Sequence, residues 1–133
     1  MYAWGRGDDG QIGVGDTSDQ VLPVPIEHLR KEHVVHVVCG SGHTMALTKQ
    51  GRIWTWGRGD DGRLGHGGHG WNYIPRLVES LVPETMRVIS SGSYHSAAVS
   101  ASGTVYSWGG GLFGKVSKFS YVGFEGCASV PTD

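Results

Sequence analysis

The chain has 133 residues, with 11 lysines and arginines against 12 aspartates and glutamates, for a formal net charge of −1. That balance gives no electrostatic case for nucleic acid or an anionic membrane, and no apolar run is long enough to span a bilayer. Cys39 and Cys127 are the only cysteines, too few and too far apart for a zinc site or a dense disulfide framework. Met1 runs directly into a motif with no leader pattern, so the expected setting is intracellular, cytoplasmic or nuclear.

Taken in order, the chain opens on Tyr2-Ala3-Trp4-Gly5-Arg6-Gly7, a phrase that returns as Trp54-Thr55-Trp56-Gly57-Arg58-Gly59 and as Tyr106-Ser107-Trp108-Gly109-Gly110-Gly111. Trp4, Trp56 and Trp108 are 52 residues apart (56 − 4 and 108 − 56). Laid without gaps over Trp56–Gly103, Trp4–Gly51 is identical at 18 of 48 positions, which is tandem repetition rather than composition. After the glycine loop a short strand is expected around Val24–Ile26, then a helical turn or two within Ile26–Glu32, then a β-rich run at Val34–Val38. His43-Thr44-Met45-Ala46-Leu47-Thr48 alternates as a half-buried strand does, with Met45 and Leu47 on one face. Gly51 supplies the positive φ of a tight turn, and Ile53-Trp54-Thr55-Trp56 returns with both tryptophans on one face. The next copy repeats the design through Arg76–Val78, Met86–Ile89, His95–Ser100 and Val105–Trp108.

Four short antiparallel strands per repeat describe a β-propeller blade, and the expected class is all-β, about two blades of a larger ring. A blade cannot bury both faces alone, so Trp4, Trp56 and Trp108 are expected to pack between blades. Gly40 and Gly92 are expected at fixed geometric positions. His43 and His95, one per blade at a strand start, are expected to hydrogen-bond loop backbone. An isolated pair of blades with open faces is expected to be marginal or to self-associate.

At Trp56-Gly57-Arg58-Gly59-Asp60-Asp61-Gly62-Arg63-Leu64-Gly65-His66-Gly67 and Cys39-Gly40-Ser41-Gly42-His43-Thr44-Met45-Ala46-Leu47, the sequence resembles the regulator-of-chromosome-condensation repeat family. The resemblance covers residues 1 to about 115 and implies a seven-bladed β-propeller that serves as a protein-interaction platform. Family members include a nucleotide-exchange factor for a small nuclear GTPase, plant ultraviolet-B photoreceptors and the accessory propellers of large ubiquitin ligases. The resemblance therefore implies a protein partner, with a small GTPase or a ubiquitin-pathway substrate as the two named classes. The photoreceptor signature Gly-Trp-Arg-His-Thr is replaced here by Gly40-Ser41-Gly42-His43-Thr44 and Gly92-Ser93-Tyr94-His95-Ser96, which argues against light sensing by these blades.

No catalytic group, metal or cofactor is expected. Gly5-Arg6-Gly7-Asp8-Asp9-Gly10 has the spacing of a dinucleotide loop, but aspartates occupy it and glycines follow where a helix should run. His66-Gly67-Gly68-His69 lacks the further ligands of a zinc site. The candidate partner contacts lie in loops: Arg6, Asp8, Asp9, Arg58, Asp60, Asp61, His66, His69, Trp71 and Tyr73. Trp71 and Tyr73 stand out because Asp19 and Val21 occupy their places in the first repeat.

The repeat pattern breaks at Lys115. Lys115-Val116-Ser117 can be encoded as an exon end followed by a splice donor, so residues 116–133 read as an irregular non-repeat tail, with translated intron that selection never shaped to fold as its expected origin.

Overall fold

The computed structural model describes residues 1–110, 117–121 and 129–132. Its strands are β1 Tyr2–Gly5, β2 Gln20–Pro25, β3 Val34–Cys39, β4 His43–Thr48, β5 Ile53–Gly57, β6 Asn72–Leu77, β7 Met86–Ser91, β8 His95–Ser100, β9 Val105–Gly109, β10 Ser117–Tyr121 and β11 Ser129–Thr132. They form three antiparallel sheets in the orders β1-β2, β3-β4-β5-β6 and β7-β8-β9-β10-β11. Short 3-10 turns lie at Glu27–Leu29, Asp60–Gly62 and Glu79–Leu81.

The registers repeat as the sequence does. Tyr2 pairs with Pro25 as Trp54 pairs with Leu77, and Thr44 pairs with Trp56 as Ser96 pairs with Trp108. Adding 52 to each number of the first pair gives the second. The sheet β3–β6 is thus one whole blade, β1–β2 are the third and fourth strands of the blade before it, and β7–β10 make the blade after it. The fourth strands begin at Gln20 and Asn72, four residues earlier than expected, because a bulge near Gly5 and Gly57 carries the pairing further along the strand. The single 3-10 turn at Glu27–Leu29 is what remains of the anticipated helical stretch.

Blades pack face to face, and this alters the reading of β4. All six of its residues are buried, not one face of two. Met45 and Leu47 join Ile53, Val78, Leu81, Ile89 and Trp108 in a core shared with the following blade. Ala46 and Trp56 look the other way, onto Ile26 and Leu29 of the preceding repeat. Alternation in β4 therefore distinguishes which neighbour a side chain meets, not core from solvent.

The tryptophan expectation holds where a neighbour exists. Trp56 is wholly buried and Trp108 nearly so, but Trp4 is 63% exposed, with Tyr2 beside it. Among the described residues no preceding blade covers its face. Trp56 also donates its indole N–H to the Gln11 carbonyl at 2.8 Å. Its ring lies against Gly13, where an added Cβ would come within 2.6 Å of Nε1, and Gly65 receives Trp108 in the same way. Each glycine loop is a seat for the tryptophan of the next blade.

The expectation of an irregular tail is corrected over two segments. Ser117–Tyr121 pairs with β9, and Ser129–Thr132 pairs in turn with Ser117–Tyr121. The physical reason is that main-chain pairing at a sheet edge requires no side-chain alternation. Lys115 and Val116, where the repeat is expected to break, lie outside the described residues.

Candidate functional site

Because successive strands reverse direction, the β3–β4 and β5–β6 connections emerge at one end of each blade. The tight turn at Lys49–Arg52 and the 3-10 turns between blades occupy the other. Arg58 N–H donates to the Gly42 carbonyl at 2.8 Å, tying the two loops of the first end together. Most of the sequence-predicted contacts gather there.

In the first repeat, Arg6 grips Asp8 through Nε at 2.7 Å and Nη2 at 2.6 Å. Asp9 approaches the next blade, its Oδ2 lying 2.6 Å from where a Cβ on Gly42 would be. In the second repeat, Arg58 Nε donates to Asp60 Oδ2 at 2.8 Å, and the other oxygen of Asp60 accepts the Trp71 indole N–H at 2.9 Å. The Arg58 guanidinium lies over the Trp71 ring, 5.3 Å from its centre. The Trp71 hydrogen bond, then that of Arg58, holds the Asp60 carboxyl below its ordinary range. The three groups fix one another, so an exposed tryptophan is presented in a set orientation. Asp61 adopts left-handed φ at 63°, and its carboxylate meets Arg63 Nη2 at 3.1 Å.

Other predicted residues behave differently. Tyr73 packs on Gly10 of the preceding repeat while its carbonyl accepts the Gly15 N–H at 2.8 Å, so it fastens blades together as well as facing solvent. His66 turns inward. Thr55 Oγ1 gives its one proton to the Leu64 carbonyl at 2.7 Å, so it accepts from His66 Nε2 at 2.9 Å. Desolvation, with Arg76 adding, lowers the His66 pKa to about 4. It supports the loop and remains partly exposed. His69 is exposed in the same loop.

Sequence reading missed Arg63 and Tyr94. Arg63 is almost fully buried, donates to the Asp60 carbonyl at 2.9 Å and lies 5.0 Å from the centre of the Tyr94 ring, which is half exposed. The signal was available: Arg63 stands in the place of Gln11, and Tyr94 in that of Gly42.

His43 is buried and joins side chains rather than loop backbone, a correction to its expected role. Its Nε2 lies 3.0 Å from Ser96 Oγ and 3.1 Å from Ser91 Oγ, both on the following blade. Ser96 donates to the Arg63 carbonyl and Ser91 to the Gly92 carbonyl. The network therefore assigns the imidazole proton to Nε2, with both hydroxyls accepting. Nucleophile activation needs the opposite polarity, a ring nitrogen that takes the hydroxyl proton. Gly40 makes room, since a Cβ there would lie 2.2 Å from the His43 ring, whereas Gly92 has no such neighbour and His95 is exposed.

Burial, with the Arg63 charge adding, lowers the His43 pKa to about 4. Between the unfolded value near 6.5 and that value, the unfolded chain binds a proton that the folded chain refuses. Stability is therefore full above the window and falls as pH drops through it, by about 2–3 kcal/mol from His43. Urea midpoints from pH 7 to 4.5 should slope steeply in the parent and less in His43→Gln. Parallel slopes would show that His43 does not drive the effect.

Among the described residues no cluster of three or more metal-ligating side chains occurs. Paired loops with repeating register define these sheets as blades of a β-propeller. Models of the regulator of chromosome condensation repeat match residues 1–47 and 50–99, and a second such model matches 34–63 and 87–115. The chain belongs to this repeat family. It is 41% identical over 135 aligned positions to the human E3 ubiquitin-protein ligase HERC2, covering 96% of this chain and 3% of that protein. About 128 of 133 residues are then covered, so the match extends past Lys115. It is 34% identical over 116 residues to the ultraviolet-B receptor UVR8 of Arabidopsis thaliana, covering 87% of this chain and 26% of the receptor. The crystal structure of Prp20p from Saccharomyces cerevisiae superimposes with a TM-score of 0.75 at 21% identity, over 92% of this chain and 34% of that one. The chain spans only a small part of each of these relatives.

Proposed function

We propose that the loop-bearing end of the blades is a non-enzymatic docking surface for a protein partner, working in an intracellular setting, cytoplasmic or nuclear. The observation that carries this reading is the pair of braced aromatics, Trp71 on Arg58 and Tyr94 on Arg63, 40% and 53% exposed at the same end. Tryptophan, tyrosine and arginine dominate binding energy at protein interfaces, and rings already held in place lose little freedom on binding. The donor role of the His43 proton toward both serines supports the non-enzymatic part.

The extent of similarity to HERC2 favours a ubiquitin-ligase propeller, with ligase substrates or regulators as partners. The alternative, part of an exchange factor for a small GTPase, draws on Prp20p, whose structure was reported with its binding to Gsp1p and histones. Trp71→Ala and Tyr94→Ala should each weaken a cognate partner about tenfold or more, whereas Arg30→Ala at the opposite end should not. Calorimetric titration against small GTPases and ubiquitin-ligase substrates reads this directly. Accelerated release of labelled GDP from a GTPase would favour the alternative. Unchanged affinity in both aromatic variants would remove the loop end from the interface.

A further inference from the structure

The chain is nearly neutral, but its charges are unevenly placed. The loop-bearing end, residues 6–19, 40–42, 58–71 and 92–94, carries six aspartates against three arginines. The opposite end, residues 26–33, 49–52, 78–85 and 101–104, carries four glutamates against four lysines and arginines. The acidic excess therefore sits where the braced aromatics are, and a surface of one sign favours partners of the other.

Comparing the repeats shows which carboxylate is left unbalanced. Asp8 is paired with Arg6, Asp60 with Arg58 and Asp61 with Arg63. Asp16 and Asp19 accept main-chain N–H groups of their own loop. Asp9, the equivalent of Asp61, is in no ion pair among the described residues. Two differences between the repeats account for this. Gln11 stands where Arg63 stands, and its Oε1 accepts the Asp9 main-chain N–H at 2.8 Å, which leaves the carboxylate charge unopposed. Gly42 stands where Tyr94 stands, so the facing loop has no side chain to lay over Asp9. A Cβ at Gly42 would fall 2.6 Å from Asp9 Oδ2 and 3.2 Å from Arg58 Cβ, so glycine lets the two lie side by side. Asp9 faces the blade that follows it, whose loops are described, and it remains partly exposed there.

Arg58 does not neutralise Asp9, since its Nε is held by Asp60 and its guanidinium lies over Trp71. It does connect the parts, being within electrostatic reach of both Asp9 and Tyr94. Loops of three successive blades thus bring Asp9, Trp71 and Tyr94 onto one surface.

We propose that the partner docked at the loop end presents a basic segment, a lysine or arginine pairing with Asp9 while flanking residues lie on Trp71 and Tyr94. Asp9 takes from the partner the cation that Asp61 receives from Arg63. It is the specificity-determining residue of the docking surface proposed above, on whose existence this assignment rests.

The test selects a phage-displayed library of random peptides on the full 133-residue chain and measures the enriched peptides by fluorescence anisotropy. Those peptides are expected to carry net positive charge. They should bind about tenfold more weakly to Trp71→Ala and about fivefold more weakly to Asp9→Asn, each variant being folded by circular dichroism. Gln11→Arg keeps Asp9 but supplies the internal partner that Asp61 has, so it should weaken binding as Asp9→Asn does. Raising salt from about 0.1 M to about 1 M shortens the screening length from about 10 Å to about 3 Å and should weaken binding too. Glu27→Gln, at the opposite end, should leave it unchanged. Enrichment of acidic or neutral peptides that still need Trp71 would overturn the basic partner and leave the docking surface standing. Basic peptides that need Trp71 but ignore both Asp9→Asn and Gln11→Arg would do the same. Peptides indifferent to Trp71→Ala and Tyr94→Ala, or no enrichment at all, would overturn both.

Discussion

Trp56→Ala is expected to destabilise the chain by about 3–5 kcal/mol, the range for emptying the site of a buried tryptophan. Its ring has no solvent exposure, fills the core formed by Ile26, Leu29 and Ala46, and anchors the Gln11 carbonyl through its N–H. Trp4→Ala, in the same repeat phrase but largely in water, should change stability by less than about 1 kcal/mol. Trp71→Ala should likewise stay near 1 kcal/mol, since it removes one exposed hydrogen bond and one cation–π contact. Urea denaturation of the three variants measures all of this. A loss at Trp4 equal to that at Trp56 would mean that the first sheet is covered in solution.

Gly13→Ala should be nearly as severe, at about 2–4 kcal/mol. Gly13 has φ of +87°, and left-handed backbone costs an L-residue about 1–2 kcal/mol. The new methyl would also collide with the rigid indole of Trp56, adding an overpacking cost of about 1–3 kcal/mol. The two contributions separate in a double-mutant cycle. With Trp56 already replaced by alanine the collision disappears, so Gly13→Ala should then cost only the backbone share. Strictly additive losses would place the ring away from Gly13.

The hairpin of β4 and β5 was legible because alternation and the turn at Gly51 are local properties. What each face meets was not. Met45 and Ala46 lie on opposite faces of β4, yet both are buried, because neighbouring blades press from each side. Trp4 and Trp56 share a phrase but differ in burial for the same reason: sequence states what a residue can pack, and the neighbour decides whether it does. At the loop end, the pairing of Arg58 with Asp60 and Trp71 joined residues singled out separately. The hydrogen bond that holds His66 was not legible, because nothing local reveals that Thr55 gives its proton to the Leu64 carbonyl. Arg63 and Tyr94 depart from the repeat as Trp71 and Tyr73 do, so the same signal marks them in the sequence. The tail strands could not have been read from pattern, since β10 adds to β9 through backbone groups.

The same second strand of the repeat occurs twice, and its surroundings differ. All six residues of β4 are buried, whereas β8 alternates between buried and partly open positions. In an array whose units touch only their neighbours, resistance to opening depends on place in the row more than on local sequence. Amide hydrogens of β4 and β5 should therefore exchange most slowly with solvent deuterium, through near-global unfolding. Those of β1 and β2 should exchange fastest, through fraying of their two-stranded sheet. The β8–β9 amides should fall between, so that repeat-equivalent stretches of chain carry different exchange clocks.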